Sequence, residues 1–232
     1  MSLVFDPPPQ VLAPVSDGRR YPVRRIFCIG RNYAAHAREM GKDPDREAPF
    51  YFTKWAQAVV PSGSILAYPP QTANLHFEGE LVVAIGKAGR NIDPDEAAAH
   101  VFGYATGLDL TRRDLQDEAK RLARPWSASK NFEQASPLGL IHPASDVGQI
   151  ATGAIRTLVN GEVKQSGDLG DMIWPAANVI ASISRGYRIE PGDLIYTGTP
   201  AGVGAIVEGD EIVVQIEGLS DTVVRIGPPE AD

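Results

Sequence analysis

Cysteine appears once in the 232 residues and histidine four times, and Phe, Trp and Tyr together make up 7% of the chain. A lone cysteine forms no internal disulfide, and Cys28 lies in the apolar run Arg25-Ile-Phe-Cys-Ile-Gly, so it reads as a buried, inert thiol compatible with a reducing compartment. Positive charge is also in deficit. The 22 Lys and Arg against 29 Asp and Glu leave a formal net charge of -7, which excludes the broad basic footprint that nucleic acid or an anionic membrane requires. No stretch approaches the roughly 20 apolar residues of a membrane span. The opening MSLVFDPPPQ lacks the basic segment and long apolar core of a signal peptide, so the expectation is a cytoplasmic protein.

Glycine (23) and proline (19) are plentiful, and the segments between them are short and rich in Val, Ile, Leu and Tyr. That pattern predicts a β-rich α+β protein in which strands and turns outweigh helices. A small portion, residues 1–70, is expected to hold a strand over residues 25–30 and a helix over residues 33–40, capped by Asn32 and stopped by Gly41. Residues 71–232 form the main β domain, with helices predicted over residues 94–99, from 111 to about 123, and around 175–184. Two turn-then-strand units, at Pro191-Gly192-Asp193 and Glu208-Gly209-Asp210, close the chain.

Glu78 and Glu80 stand two positions apart in an alternating segment, so both side chains leave one face with Cα atoms roughly 6.6 Å apart. That face continues as Val82 and Ala84, which sets two like charges at the edge of an apolar surface. A divalent cation relieves such a conflict, and Asp109, ending the apolar run of residues 101–108, supplies a third oxygen. Oxygen ligands without cysteine or paired histidine favour Mg²⁺ or Mn²⁺, with Ca²⁺ also admissible, over Zn²⁺. The competing reading is an ordinary surface Glu-x-Glu.

His36 and Glu39, three apart on the predicted helix, form either a carboxylate-oriented general base or a plain exposed pair. Thr197-Gly-Thr-Pro-Ala-Gly-Val-Gly lacks the Gly-Lys-Ser/Thr of a nucleotide loop but permits close backbone approach, with Thr199 as a hydroxyl donor. Lys130, Arg113 and Arg31 are each ordinary surface charges by themselves. Together they bring positive charge to an acidic site that must accept an anion.

Five segments in order, IFCIGRNYAAHAREMG, NLHFEGELVVAIGK, GYATGLDLTRRDLQ, PWSASKNF and LIYTGTPAGVG, resemble the fumarylacetoacetate hydrolase family over about residues 23–227. The resemblance implies a mixed β-roll with a few short helices, and a homodimer. It assigns Glu78, Glu80 and Asp109 to the metal and His36 with Glu39 to a general-base dyad on a lid. It sets Lys130, Gln116 and Thr199 at substrate and oxyanion positions, with Arg31 and Arg113 at the substrate carboxylate. GRNYAAHAREMG and the DPDRE segment look most like members that hydrolyse fumarylpyruvate in gentisate breakdown. His76-Phe77-Glu78 stands where that subgroup commonly has His-His-Glu.

The implied activity is metal-dependent hydrolysis of the C–C bond of an acylpyruvate, a small anionic diketo acid; fumarylpyruvate would give fumarate and pyruvate. Three carboxylates on an octahedral cation leave about three positions for substrate and water. The alternatives are oxaloacetate decarboxylation, hydrolysis of another acylpyruvate or fumarylacetoacetate-like acid, and, outside enzymes, a non-catalytic small-acid binding protein.

Overall fold

Strand Gly79–Ile85 is buried along its whole length, and its two faces feed two different cores. Leu81, Val83 and Ile85 pack with Val179, Ile180 and Ile183 of the helix Ala176–Gly186. Val82 and Ala84 pack with Ile26, Cys28, Leu194 and Tyr196. A strand covered on both faces carries apolar residues at nearly every position, and the two glutamates are displaced to its N-terminal end. The computed structural model describes residues 3–35 and 48–230. His36 and Glu39, with all but the beginning of the expected helix over residues 33–40, lie outside the described residues.

This strand sits inside an eight-stranded sheet ordered Tyr51–Lys54, Arg25–Ile29, Asp193–Tyr196, Gly79–Ile85, Val101–Leu108, Ser136–Leu138 and Val59–Pro61, with His142–Pro143 also paired to Val101–Leu108. The sheet is mixed: Arg25–Ile29 runs parallel to Asp193–Tyr196, whereas Gly79–Ile85 runs antiparallel to both of its neighbours. A five-stranded sheet, Glu162–Asp168, Ala154–Val159, Glu211–Ile216, Thr222–Pro229 and Ile65–Tyr68, supplies Leu66, Ile212, Val214, Val224 and Ile226 to a third core. A three-stranded sheet of Thr111–Arg112, Leu75–Phe77 and Gly204–Ile206 adds Leu75, Phe77 and Ile206 to that core. Mixed sheets with few, short helices are the β-rich α+β architecture expected. Strands from either side of residue 70 share both larger sheets.

The helix predicted from residue 111 begins two residues later, at Arg113, and ends at Arg121. Thr111 and Arg112 instead pair with His76 and Leu75 as a short strand, because the β-branched Thr111 is held extended while its hydroxyl donates to the Asp109 carbonyl at 3.2 Å. The expected helix near residues 175–184 spans Ala176–Gly186, and that near 94–99 is a 3₁₀ turn, Pro94–His100.

Candidate active site

Glu78 occupies the junction where the chain leaves strand Leu75–Phe77 of one sheet and enters Gly79–Ile85 of another. Glycine is required at 79, since a Cβ there would stand 2.0 Å from Thr157 Oγ1. Asp109 follows strand Val101–Leu108, and its backbone N–H donates to the Glu78 carbonyl at 2.9 Å. This bond carries the ladder between the two strands one pair further and draws three carboxylates to one point. Glu78, Glu80 and Asp109 are all buried, and each offers an oxygen within 4.8 Å of the others.

Protein cations meet two of these three anions. Lys130 Nζ donates to Glu78 Oε2 at 2.6 Å and Asp109 Oδ2 at 2.8 Å. Arg113 Nη2 donates to Glu78 Oε1 at 2.5 Å. Lys54 Nζ stands 2.6 Å from Asp109 Oδ1 as an ion pair without hydrogen-bond alignment, its protons directed to the carbonyls of Ala135 and Leu110. Burial opposes the charge on Lys130, but Asp109 and Glu78 outweigh it and hold the ammonium above its ordinary pKa.

Glu80 is treated differently. Its Oε2 accepts the Gly198 N–H at 2.7 Å, while Oε1 is buried with no hydrogen-bond partner among the described residues. Burial first, and then the charges of Asp109 and Glu78, push its pKa well above the usual carboxylate range. The Tyr33 hydroxyl is likewise buried without a hydrogen bond among the described residues, and burial followed by the Glu80 charge raises its pKa. A hard divalent cation fits this donor set: three oxygen ligands, one of them orphaned and destabilised as an anion. The conflict inferred from sequence for both glutamates therefore concentrates on Glu80, because Lys130 and Arg113 already compensate Glu78.

A cavity of about 320 Å³ opens beside Glu78. Among the described residues Arg31, Arg113, Lys120, Arg124 and Lys130 line it, with Gln116 and Trp126, against the single carboxylate of Glu78. Arg113 is fixed from three sides, by Glu78, by Gln116 Oε1 at 2.5 Å and by His76 Nδ1 at 3.3 Å. Since His76 Nδ1 accepts there, Nε2 carries the proton and donates to Asn74 Oδ1 at 2.9 Å. The neutral imidazole agrees with a pKa pushed down to about 4 by burial and then by Arg113.

Of the residues singled out in the sequence, Arg31, Glu78, Arg113, Gln116 and Lys130 line the cavity, and Glu80 and Asp109 complete the carboxylate cluster. Thr199 sits behind it: its hydroxyl donates to the Gly79 carbonyl at 2.8 Å and accepts from Gln165 Nε2 at 2.7 Å. Asn32, expected as a helix cap, joins Trp174 and the Thr197 carbonyl through its side-chain amide. Lys54, Gln165 and Tyr33 were not anticipated. Lys54 had a signal, a lysine inside the aromatic run Tyr51-Phe-Thr-Lys-Trp. Gln165 had none, lying in a largely exposed polar strand while its Oε1 accepts the Gly79 N–H at 3.0 Å.

Mixed sheets converging on a buried carboxylate triad with lysine and arginine counter-ions define a candidate metal-dependent enzyme of small organic anions. The sequence pattern of the fumarylacetoacetate (FAA) hydrolase C-terminal family matches residues 25–226, and the chain belongs to that family. It is 47% identical over 193 residues to a fumarylpyruvate hydrolase of Ralstonia sp., covering 82% of this chain and 100% of the relative. It is 39% identical over 207 residues to the mitochondrial oxaloacetate tautomerase FAHD1 of Homo sapiens, covering 89% and 93% respectively. The crystal structure of fumarylpyruvate hydrolase from Pseudomonas aeruginosa in complex with Mn²⁺ and pyruvate superimposes with a TM-score of 0.96 at 47% identity, covering 98% of this chain and 100% of that one.

Proposed function

We propose that this chain is a metal-dependent hydrolase that cleaves the C–C bond of an acylpyruvate, with fumarylpyruvate and water giving fumarate and pyruvate. The observation that carries this reading is the cavity in which five cationic side chains and one carboxylate of the triad converge; it suits a small polyanion held next to a divalent ion. Glu78, Glu80 and Asp109 would hold Mg²⁺ or Mn²⁺, with Ca²⁺ compatible with the same oxygen donors. Once bound, that ion supplies Lewis acidity toward the oxygens of a 2-oxo acid. Arg113 and Arg31 pair with the substrate's carboxylate at the pyruvate end. Lys130 and Gln116 donate toward the oxyanion that develops on the attacked acyl carbonyl. His36, oriented by Glu39, takes the proton of the attacking water; this assignment rests on the family resemblance. Thr199, whose hydroxyl proton is given to Gly79, acts as a positioning residue for the strand that carries Glu80.

The test is protein stripped with EDTA, reloaded with Mg²⁺ or Mn²⁺, and assayed on fumarylpyruvate, acetylpyruvate and oxaloacetate. Hydrolysis of the acylpyruvates is expected only after reloading, and undiminished activity in metal-free protein would sink the metal site. The similarity to oxaloacetate tautomerase supports a second reading, seen as turnover of oxaloacetate without acylpyruvate hydrolysis; anion binding with no turnover at all would leave a binding protein. His36→Ala is expected to lower acylpyruvate hydrolysis by about 10² to 10⁴-fold, the range of a general base, and to lower any oxaloacetate decarboxylation far less. Equal losses would make His36 a residue that positions substrate instead.

The resemblance also supports a cytoplasmic homodimer acting in aromatic catabolism by the gentisate route. Among the described residues no helix is long and apolar enough to cross a membrane. A monomer mass by light scattering would overturn the dimer.

A further inference from the structure

Fumarylpyruvate differs from simpler acylpyruvates in carrying a carboxylate at its acyl end, and the cavity holds cations beyond those the reaction requires. Helix Arg113–Arg121 presents Arg113, Gln116 and Lys120 to the cavity at positions three and seven apart, one face of the helix. Two helical turns separate Arg113 from Lys120, roughly 10 Å along the axis. Arg113 gives three of its N–H groups to Glu78, Gln116 and His76, which leaves two for the carboxylate at the pyruvate end. Lys120, in contrast, has Asp117 Oδ1 as its single hydrogen-bond partner among the described residues, at 3.4 Å.

A chain of aromatic contacts runs from Arg31 to Lys120, and its Trp126 ring lines the cavity. The Arg31 guanidinium lies over Phe50 at 4.9 Å, Phe50 meets Trp126 edge-on at 5.5 Å, and Lys120 Nζ lies over Trp126 at 5.7 Å. A flat, conjugated acyl chain suits the Trp126 ring, and a carboxylate at its far end reaches a cation. Lys120 and Arg113 line the same cavity, and burial, followed by the Arg113 charge, lowers the Lys120 pKa. Arg124, more exposed and 4.0 Å from Glu118 Oε1, lines the cavity as well.

We propose that Lys120, with Arg124 beside it and Trp126 as the apolar wall, binds the carboxylate at the acyl end of a dicarboxylic acylpyruvate and so makes the site prefer dianions. This assignment rests on the acylpyruvate reading, and its test separates the two. Metal-loaded wild type, Lys120→Met and Lys120→Arg are compared on fumarylpyruvate and acetylpyruvate, and the affinities of fumarate and pyruvate are measured calorimetrically.

The ratio of kcat/KM for fumarylpyruvate over acetylpyruvate is expected to fall about tenfold or more in Lys120→Met, the effect of one lost charge-assisted hydrogen bond. The loss should appear in KM. Fumarate affinity is expected to fall by a similar factor and pyruvate affinity much less, with Lys120→Arg restoring most of the ratio. A ratio and a fumarate affinity that hold within about threefold, or fumarate and pyruvate weakening together, would overturn the assignment. If the wild type cleaves neither acylpyruvate, the proposed function falls, and fumarate binding in Lys120→Met still decides the role of Lys120.

Discussion

Glu80 is the side chain on which metal dependence turns. Glu78 and Asp109 have lysine and arginine partners, so losing an ion leaves them compensated, whereas Glu80 Oε1 has no hydrogen-bond partner among the described residues. Glu80→Gln keeps the shape, can still accept from the Gly198 N–H, and removes the charge that Asp109 and Glu78 repel. In EDTA this variant is expected to melt no lower than the wild type. With saturating Mn²⁺ the wild type is expected to gain roughly 5–10 °C, the shift for ion at about a hundred times its Kd, and the variant to gain almost nothing. A variant that keeps the full metal-induced shift in differential scanning fluorimetry would move the site away from Glu80. The carboxylates were legible in the sequence because a charge that interrupts apolar alternation is conspicuous over a few residues. Lys54 meets Asp109, and Gln165 meets the backbone of Gly79 between the two glutamates, only through tertiary pairing, from strands about 55 and 85 residues away in sequence, and no local pattern records that.

At the scale of elements, the site is made where strands end. Asp109 closes Val101–Leu108, Glu80 opens Gly79–Ile85, and the turn after Asp193–Tyr196 brings Gly198 against Glu80. That turn is tightly specified: Gly198 has φ +97°, and a Cβ would lie 2.7 Å from the Asn32 Cβ. Asn32 in turn holds Trp174 and Thr197, so one glycine joins the segment entering the cavity to the strand bearing the metal ligands. Gly198→Ala is expected to cost about 1–3 kcal/mol of stability and to weaken metal binding through the displaced N–H. Gly18→Ala is the control. It has a similar φ of +88° with no atom within 4 Å of the added Cβ, so it carries the backbone strain alone and should leave metal affinity intact. Equal effects of the two on metal affinity would refute the coupling. The turn itself was legible from Thr197-Gly-Thr-Pro-Ala-Gly as a place of close backbone approach. Its partner was not, because the Asn32 side chain meets Trp174 and Thr197 only across some 140 to 165 residues of chain.

The whole molecule sets two electrostatic scales against each other. Its formal net charge is -7, yet among the described residues the cavity is lined by five cations and one carboxylate. A dianionic substrate is repelled at long range and attracted at close quarters, and salt separates the ranges: the Debye length is about 30 Å at 0.01 M, about 8 Å at 0.15 M and about 3 Å at 1 M. Raising salt from 0.01 to 0.15 M screens the distant carboxylates first, so kcat/KM for fumarylpyruvate is expected to hold or rise. Between 0.15 and 1 M the exposed cations of the cavity, Lys120 and Arg124, are screened in turn, and kcat/KM is expected to fall through KM. Acetylpyruvate, with one carboxylate held deep beside Arg113, should show a flatter profile over the same range. Initial rates at five or six ionic strengths, with free metal held constant, test this directly. A monotonic fall from the lowest salt, equal for both substrates, would mean that the cavity's field reaches far into solvent and that the net charge of the molecule plays no part in how substrate arrives.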